Sequence, residues 1–339
     1  MKILVTGGAG YIGSHTLLQL LGARHEVLVI DNYSNSSPEA LVRVKKLAGS
    51  GFKICEGDIL DTCFLNTVFT EFQPEAVIHF AGLKSVGDSN RDPLEYYTRN
   101  VSGSIGLFRC MQQHNCSRIV FSSSATVYGE ANYLPYDEAH SLSPTNPYGR
   151  TKFFIEEVIR DWVRSWDGSS AVLLRYFNPV GADSSGLIGE DPTGTPSNLL
   201  PFVSQVAVGR LDKLIVFGDD YNTRDGSGER DYIHVEDLAR AHLAAIEYSW
   251  ENSGCEAINV GTGRGATVFE TIEAFERASG CKIPFQCAPR RAGDIASSIA
   301  SVRKAEQLLG WKAKLNLEQM CQTAWNWQKN NPYGYVSTV

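Results

Sequence analysis

Three glycines near the start of the chain most constrain its fold. Gly7, Gly10 and Gly13 form the pattern G-x-x-G-x-x-G, directly after an apolar run over Lys2–Thr6 and before a helix-length segment. Without side chains, the backbone can turn tightly between a strand and a helix and leave the helix N-terminus open to an anion. The pattern therefore predicts a strand, a glycine turn and a helix, the first unit of an α/β fold.

Short apolar runs alternate with helix-length segments through the first half of the chain. The runs are rich in Val and Ile and apolar throughout, which is typical of parallel strands covered by helices on both faces. Strand–helix alternation predicts an α/β fold with a Rossmann-type doubly wound parallel sheet. The predicted strands are Lys2–Thr6, Glu26–Asp31, Phe52–Glu56, Ala76–Phe80, Arg118–Ser122 and Ala171–Arg175. The predicted helices of this half are Leu17–Leu21, Thr62–Phe69, Leu94–His114 and Thr151–Trp166.

The pattern changes after Tyr176. Residues 177–232 hold many Gly, Pro, Asn and Asp residues, which predicts long loops of the kind that often carry function. We predict a Rossmann domain over 1–180 and a smaller mixed α/β lobe over 181–339, with segments near 231–262 returning to the first domain. The helices predicted in the second half are Val235–Tyr248, Val268–Ala278, Arg303–Leu309 and Leu317–Gln328.

An acidic residue ends the second predicted strand. Asp31 lies 18 residues beyond Gly13, where dinucleotide-binding units place a carboxylate that accepts hydrogen bonds from the adenosine ribose. A carboxylate there repels the additional phosphate of NADP, so we predict NAD as the cofactor. Later strand ends face the same crevice of such a sheet. The residues expected there are Asp58, Ile59, Phe80, Ala81, Gly82 and Lys84.

A serine and a Tyr-x-x-x-Lys pair carry the predicted chemistry. Tyr148 follows Ser124 by 24 residues, and Lys152 follows Tyr148 on a predicted helix. Residues four apart share a helix face, so the lysine charge, with that of the nicotinamide, is expected to lower the pKa of the phenol. Tyr148 could then accept a hydroxyl proton while hydride leaves for NAD, and Ser124 would hydrogen-bond the same oxygen.

With these motifs the chain resembles the extended short-chain dehydrogenase/reductase family, and within it the UDP-hexose 4-epimerases. The resemblance covers almost the whole chain, and Arg175–Gly181 and Arg230–His234 are its specific segments. It implies that tightly bound NAD is regenerated in each turnover. It also implies that UDP-galactose and UDP-glucose interconvert through a transient 4-keto sugar that swings about its diphosphate link.

The resemblance assigns roles to individual residues. It makes Tyr148 the base, Lys152 its partner and Ser124 the residue that orients the hydroxyl. The implied cofactor residues are Gly7, Gly10, Tyr11, Ile12, Gly13, Asp31, Asn32, Asn35, Ser36, Asp58, Ile59, Phe80, Ala81, Gly82, Lys84, Asn100, Tyr148, Lys152 and Tyr176. The implied substrate residues are Lys84, Ser124, Phe177, Asn178, Asn198, Leu199, Phe217, Arg230, Tyr232, Arg291, Asp294 and Ser298.

Within that substrate set, the resemblance makes Arg230 and Arg291 the diphosphate ligands, Phe217 the neighbour of uracil and Asp294 the ribose acceptor. Ser298 stands where some family members have Tyr beside C2 of the sugar. Because serine is much smaller, we expect the pocket to admit UDP-GlcNAc and UDP-GalNAc as well. The opposing interpretation is that neighbouring side chains refill the volume, since protein interiors pack tightly.

Other functions remain open at this stage. Sugar-nucleotide 4,6-dehydratases resemble this chain but carry an Asp-Glu pair after the catalytic Thr, whereas Ala125 and Thr126 follow Ser124. Neither side chain can serve as acid or base, so elimination lacks its groups. Dehydratase or decarboxylase relatives are the enzymatic alternative, and a non-catalytic NAD-binding regulator is the alternative of another class.

Composition limits the partners and the location. The chain has 339 residues, 31 Lys and Arg against 38 Asp and Glu and a net charge of −7, which argues against a nucleic-acid partner. The absence of a long apolar run argues against a membrane span. We expect a cytoplasmic protein, because the apolar start enters the glycine turn directly. We expect no metal site, because the cysteines lack metal-ligand spacing.

The resemblance implies a homodimer, built from the Leu94–His114 and Thr151–Trp166 helices of two subunits.

Overall fold

The computed structural model describes residues 1–192, 196, 198–291 and 293–335. The strands are β1 Lys2–Thr6, β2 Glu26–Asp31, β3 Lys53–Glu56, β4 Ala76–His79, β5 Arg118–Ser124, β6 Ser170–Tyr176, β7 Asn178–Val180, β8 Leu214–Phe217, β9 Glu229–His234, β10 Gly254–Val260, β11 Gly265–Thr267, β12 Phe285–Ala288 and β13 Ser297–Ser298. The helices are α1 Tyr11–Gly22, α2 Pro38–Ala48, α3 Thr62–Phe72, α4 Val86–Arg91, α5 Pro93–Tyr96, α6 Gly103–Gln113, α7 Pro147–Arg164, α8 Leu199–Ala207, α9 Val235–Glu251, α10 Val268–Ser279, α11 Arg303–Leu309 and α12 Leu317–Asn330.

A parallel sheet is the centre of the fold. Among the described residues, seven strands form it in the order β10-β6-β5-β4-β1-β2-β3, and each neighbouring pair is parallel. The order reverses at β1, which lies between β4 and β2, and this reversal defines the crevice of a doubly wound sheet. The predicted Rossmann-type α/β fold is confirmed. β10, from the second half of the chain, lies beside β6 at one edge.

Both faces of this sheet are buried, as the apolar strands predict. Ile3 and Val5 of β1 point into one core cluster, with residues of α1, α2 and α9, and Leu4 between them points into the other, with residues of α3, α6 and α7. Successive side chains of a strand point to opposite faces, so each strand contributes to both cores. The helix α7 also packs inward, through Ile155 and Ile159.

One predicted helix is interrupted. The prediction of a single helix over Leu94–His114 is wrong in detail, because α5 and α6 are joined by a π-helical turn over Tyr97–Ser102. The side chain of Asn100, inside this turn, bonds to the backbone of Leu83 and to Thr151. These long-range contacts accompany the wider turn, and no local helical pattern in the sequence indicates them.

The smaller lobe forms around a second set of strands. β9 pairs with β7, β11 and β13, and β8 pairs with β12. The helices α8, α10 and α12 cover these strands and share a core with residues such as Val203, Phe275 and Met320. No helix in the described part of the chain is long and apolar enough to cross a membrane.

A buried ion pair attaches α7 to the main sheet. Arg175 of β6 donates from Nε at 2.9 Å and from Nη2 at 2.5 Å to the carboxylate of Glu156. Ser123 of β5 donates to the same carboxylate at 2.6 Å. Burial alone raises the pKa of Glu156, but hydrogen bonding to Arg175 and its charge outweigh burial, so the net shift is downward. The pair therefore stabilises the fold at neutral pH, and this contribution is lost as the pH falls through the depressed pKa.

Replacing Glu156 by Gln leaves Arg175 buried with no opposite charge. We expect the Glu156→Gln variant to lose about 3 to 5 kcal/mol of unfolding free energy at pH 7, measured by urea denaturation. Glu157→Gln is the matched control, because the Glu157 side chain is exposed and its ion pair among the described residues is with Arg160, which also donates to Glu156; an exposed pair contributes at most about 1 kcal/mol. Equal losses in the two variants would contradict a stabilising role for the buried pair.

Candidate functional site

A cleft opens at the carboxyl ends of the parallel strands. It has a volume of about 560 Å³ and is lined by residues of both lobes, from the glycine turn after β1 to the segment after β7. Crevices at the reversal of strand order are where open α/β sheets bind ligands. The carboxyl ends of β1, β2, β4, β5 and β6 all contribute residues to the lining.

The glycine turn is shaped so that side chains are excluded. Gly7 has φ +72°, and a Cβ there would lie 2.7 Å from the amide nitrogen of Ala81. A Cβ on Gly13 would lie 2.4 Å from the carbonyl oxygen of Gly7. The N-cap of α1 is Gly10, so no capping side chain covers the first amide groups of the helix. Such a helix start fits a pyrophosphate, which the amide groups and the helix dipole stabilise.

Asp31 connects this turn to the end of β2. Its Oδ2 accepts from the amide of Ala9 at 2.9 Å, and its Oδ1 accepts from the amide of Tyr33 at 3.0 Å and the hydroxyl of Ser36 at 2.8 Å. A carboxylate can accept about four hydrogen bonds. Within the described structure three are made, so one lone pair of Oδ2 remains for a ribose hydroxyl. Asp31 therefore fits the predicted role and also holds the turn in place.

A second carboxylate stands at the end of β3. Asp58 accepts from Asn32 at 2.9 Å and from Arg99 at 3.0 Å, both on Oδ2. All three residues line the cleft, so the adenine end of a dinucleotide would meet a polar rim. Arg99, at the start of the π-helical turn, received no role from the sequence.

Asn100 lies elsewhere. Its side chain does not line the cleft, although the resemblance implies a contact between Asn100 and the cofactor. Its Oδ1 accepts from the amide of Leu83 at 2.7 Å, and its Nδ2 donates to Leu83 O at 3.0 Å and to Thr151 at 3.1 Å. Because these contacts use both ends of the buried side-chain amide, Asn100 orders the loop after β4, and its contact with the cofactor stays a prediction.

Ser124, Tyr148 and Lys152 meet at the base of the cleft. Ser124 is the last residue of β5, and α7 begins at Pro147 behind the N-cap Asn146. The first turns of α7 therefore carry the tyrosine and the lysine to the strand end. Lys152 Nζ donates to the carbonyl oxygen of Ser122 at 2.7 Å and lies 5.9 Å from the centre of the Tyr148 ring.

The protonation of this group differs from the sequence-based expectation. Burial raises the pKa of Tyr148 to about 12, and hydrogen bonding to Ser124 opposes that rise. Burial also lowers the pKa of Lys152 to about 8. The expected lowering of the phenol pKa by Lys152 is therefore not what this structure has, because desolvation dominates at both groups. A cationic ligand above the phenol would favour its ionised form.

Tyr176 and the second-lobe residues divide into two sets. The Tyr176 hydroxyl bonds to that of Ser122, and Tyr176 lines the cleft together with Phe177, Asn178 and Asn198. The remaining substrate candidates lie outside this lining. They are Leu199, Phe217, Arg230, Tyr232, Arg291, Asp294 and Ser298.

The outlying candidates still form local groups. The Arg291 guanidinium lies 5.5 Å from the centre of the Phe217 ring and donates to the Asp294 carboxylate at 3.0 Å and 3.2 Å. Arg230 and Ser298 are partners in the parallel pairing of β9 with β13. Phe217, Arg291 and Asp294 therefore form one group. Arg230 has the small residue Ser298 as its neighbour on the adjacent strand. Ser197 and Ala292, which adjoin these groups in sequence, lie outside the described residues.

Glu190 is a cleft residue to which the sequence assigned no role. Its Oε1 accepts from Lys84 of the first lobe at 3.2 Å and from Asn198 of the second at 3.1 Å. The carboxylate is buried at the boundary of the lobes and lines the cleft. Its position within a Gly- and Pro-rich loop was the only signal in the sequence. In the described ranges, no three His, Cys, Asp or Glu side chains cluster as metal ligands.

Known proteins share this arrangement over almost the whole chain. A UDP-glucose 4-epimerase of Mus musculus is 54% identical over 341 residues, covering 98% of this chain and 98% of that protein. A UDP-glucose 4-epimerase of Bifidobacterium longum, solved with NAD+ and UDP, has a TM-score of 0.95 and 49% identity, and the match covers 98% of this chain and 100% of that one. A UDP-Glc/GlcNAc 4-epimerase of Campylobacter jejuni has a TM-score of 0.85 and 39% identity, covering 97% of this chain and 99% of that one.

The family comparison agrees with these relatives. The NAD dependent epimerase/dehydratase family matches residues 3–261, which include the glycine turn, Asp31 and the Ser124, Tyr148 and Lys152 group. A Cβ on Gly7 or Gly13 would clash with nearby backbone atoms. The space that these glycines leave open fits the NAD on which this family depends. The chain therefore belongs to the NAD dependent epimerase/dehydratase family.

Proposed function

We propose that this protein is a UDP-glucose 4-epimerase that interconverts UDP-glucose and UDP-galactose through a transient 4-keto sugar. The observation that carries the proposal is the junction of Ser124, Tyr148 and Lys152 with a dinucleotide cleft. Relatives that bear this name, at more than half identity over nearly the full chain, support it. The direct test is to incubate the purified protein with UDP-galactose and to measure UDP-glucose. If no UDP-glucose forms, the proposal is wrong.

The cofactor supplies part of the chemistry. When bound, NAD⁺ would supply the hydride acceptor for C4 of the sugar and a positive charge that favours the phenolate. The glycine turn after β1 would hold its pyrophosphate, and Asp31 would hold the ribose hydroxyls. Lys152, fixed by its bond to Ser122 O at 2.7 Å, keeps two further N–H donors for groups in the cleft.

Tyr148 and Ser124 act on the hydroxyl that is oxidised. Tyr148 takes the proton from the C4 hydroxyl during oxidation and returns it during reduction. Ser124 donates a hydrogen bond to the same oxygen and so stabilises the charge that develops there. Burial excludes water from these groups, which strengthens each electrostatic contact in the site.

We propose that the two lobes divide the ligands, with NAD on the residues of 1–180 and the UDP-sugar largely on those of 181–339. Arg230 and Arg291 would bind the diphosphate, for which guanidinium groups are suited by their forked donors. Phe217 would contact uracil and Asp294 the uridine ribose. The grouping of Arg291 with Phe217 and Asp294 supports this division, and so does the solved relative that holds both NAD+ and UDP.

The small residue at position 298 supports a broader substrate range. Serine beside Arg230 leaves more volume than the tyrosine of some family members, so we propose that UDP-GlcNAc and UDP-GalNAc are also substrates. The Campylobacter jejuni relative is described as a UDP-Glc/GlcNAc 4-epimerase, which supports an N-acetylated substrate within this fold. Ser298 is buried, so an N-acetyl group at C2 would have to pass the side chains around Ser298 to occupy this volume.

We also propose that the protein is a homodimer. Leu94 of α5 is 76% exposed and Phe154 of α7 is 43% exposed. The ring of Tyr97, in the π-helical turn after α5, lies 5.9 Å from that of Phe154, so aromatic groups of this turn and of α7 lie side by side. Ile155 and Ile159, by contrast, pack into the chain's own core, so only part of the apolar surface of α7 is available for a partner.

Removing the phenol of Tyr148 removes the proton acceptor. We expect Tyr148→Phe to retain its fold and bound NAD, measured by thermal melting and absorbance, and to lose about 100- to 10,000-fold in kcat. Tyr133→Phe is the matched control, since the exposed Tyr133 hydroxyl donates only to Asp137. Near-normal turnover in Tyr148→Phe would exclude Tyr148 as the base.

Removing the carboxylate of Asp31 changes the choice of cofactor. We expect Asp31→Ala to bind NAD at least about tenfold more weakly and to reject NADP less, because the like-charge repulsion of the 2′-phosphate is gone. Titration calorimetry with both dinucleotides measures the ratio of affinities. Since Asp31 also holds Ala9 and Ser36, a melting curve is needed beside it. Wild-type protein that binds NADP as tightly as NAD would refute the assignment.

Enlarging residue 298 should separate the substrates. We expect Ser298→Tyr to lose activity selectively on UDP-GlcNAc and UDP-GalNAc, by at least about tenfold in kcat/KM, because the ring occupies the volume of the acetamido group. All four sugars are assayed, and Ser298→Ala, which keeps the residue small, should resemble the wild type. Wild-type protein that ignores UDP-GlcNAc at saturating concentration would overturn the proposal.

A further inference from the structure

Thr126 lines the cleft, and the proposed mechanism gives this residue no role. It follows Ser124 by two residues, in the single 3₁₀ turn Ala125–Val127. A Cβ placed on Gly149 of α7 would lie 2.9 Å from the carbonyl oxygen of Thr126. The turn is thus packed against the helix that carries Tyr148, and its position relative to the phenol is fixed.

Thr126 makes two hydrogen bonds to one atom. Its backbone N–H donates to Ser124 Oγ at 3.2 Å, and its Oγ1 hydroxyl donates to the same Oγ at 3.0 Å. A serine hydroxyl has two acceptor positions and a single O–H donor. Both acceptor positions of Ser124 are therefore used by Thr126, and the only capacity left to Ser124 is to donate.

The surroundings of Tyr148 agree with this direction. Hydrogen bonding to Ser124 opposes the stronger effect of burial on the pKa of Tyr148, as a donor to the phenolate does while no sugar hydroxyl is bound. A serine free to turn could instead accept the proton of the sugar hydroxyl and pass its own proton to Tyr148. With both acceptor positions of Ser124 taken, that relay has no place for the incoming proton.

We propose that Thr126 is a positioning residue that makes Ser124 a dedicated hydrogen-bond donor, so that the proton of the sugar hydroxyl passes directly to Tyr148. The proposal rests on the epimerase function proposed above and refines its proton transfer. During oxidation the O–H bond at C4 breaks and Tyr148 Oη gains the proton, while the C4–H bond breaks and its hydride would pass to bound NAD⁺. Ser124 keeps its own proton throughout, and its hydrogen bond strengthens while negative charge develops on the C4 oxygen. In the reduction step the proton returns from Tyr148 to that oxygen.

The first experiment removes one donor and keeps the shape of the side chain. We expect Thr126→Val to lower kcat about 5- to 10-fold with KM for UDP-galactose changed less than about twofold, since one hydrogen bond to Ser124 is lost and the substrate contacts remain. Thr126→Ser, which restores the hydroxyl, should recover most of kcat. Thr70→Val is the matched control, because the exposed Thr70 hydroxyl donates to Asn66 O in α3, far from the cleft. Thermal melting establishes that each variant is folded.

The second experiment asks whether Thr126 acts through Ser124. In a double-mutant cycle, Thr126→Val should have almost no effect on kcat when Ser124 is already Ala, since there is no hydroxyl left to orient. An equal loss in both backgrounds would mean a structural role and overturn the proposal, as would wild-type kcat in Thr126→Val. Wild-type protein without epimerase activity would overturn the proposed function itself, and this refinement with it.

Discussion

The attachment of α7 to the end of β5 is the interaction on which the site depends. Tyr148, Lys152 and Glu156 succeed one another at intervals of four, so they share one face of the helix. Each contacts a different serine of the strand. Lys152 donates to the carbonyl of Ser122, Glu156 accepts from the hydroxyl of Ser123, and Tyr148 stands next to the last serine of the strand. A shift of the helix by one turn would break all three contacts, so the phenol is held in place by the same bonds that hold the fold.

This arrangement buries charged groups, and the burial of a charge costs free energy unless the group is paired and hydrogen-bonded. Lys152 has its pKa lowered to about 8 by burial, so below that pH its charge is retained at a cost to the folded state. Only one hydrogen bond, to Ser122, compensates it within the described residues. Further along the helix, the Glu156 carboxylate accepts four hydrogen bonds, from Ser123, Arg160 and twice from Arg175, and these offset the cost of its burial. The bonds that hold α7 to the sheet are therefore concentrated at Glu156. Lys152, nearer to Tyr148, keeps two N–H donors without a partner in the described residues.

The sequence predicts the parts of the molecule that local pattern determines. β1 and β2 begin and end where their apolar runs do, and the glycine turn lies between β1 and α1. It does not predict contacts that depend on distant segments. Asn100 belongs to a polar position in a helical pattern, yet its amide bonds to Leu83 and Thr151. The acceptor role of Glu190 needs Lys84 and Asn198 together, and these residues meet only when both lobes are folded. The roles inferred for the second-lobe residues remain predictions.

A buried carboxylate in β9 links the smaller lobe to the main sheet. Asp231 Oδ1 accepts from the amide and hydroxyl of Thr262 at 2.8 Å and 2.6 Å, just after β10 of the main sheet. Its Oδ2 accepts from the amides of Gly263 at 2.9 Å and Ala300 at 3.1 Å, the latter just after β13. Burial raises the pKa of Asp231, and these donors oppose that rise. Because Arg230 and Tyr232 flank Asp231 on the same strand, the position of the proposed diphosphate ligand is tied to the edge of the nucleotide-binding sheet. Four donors on one carboxylate attach β9 to the segments after β10 and β13, so the proposed UDP-sugar site is held next to the sheet that binds the cofactor.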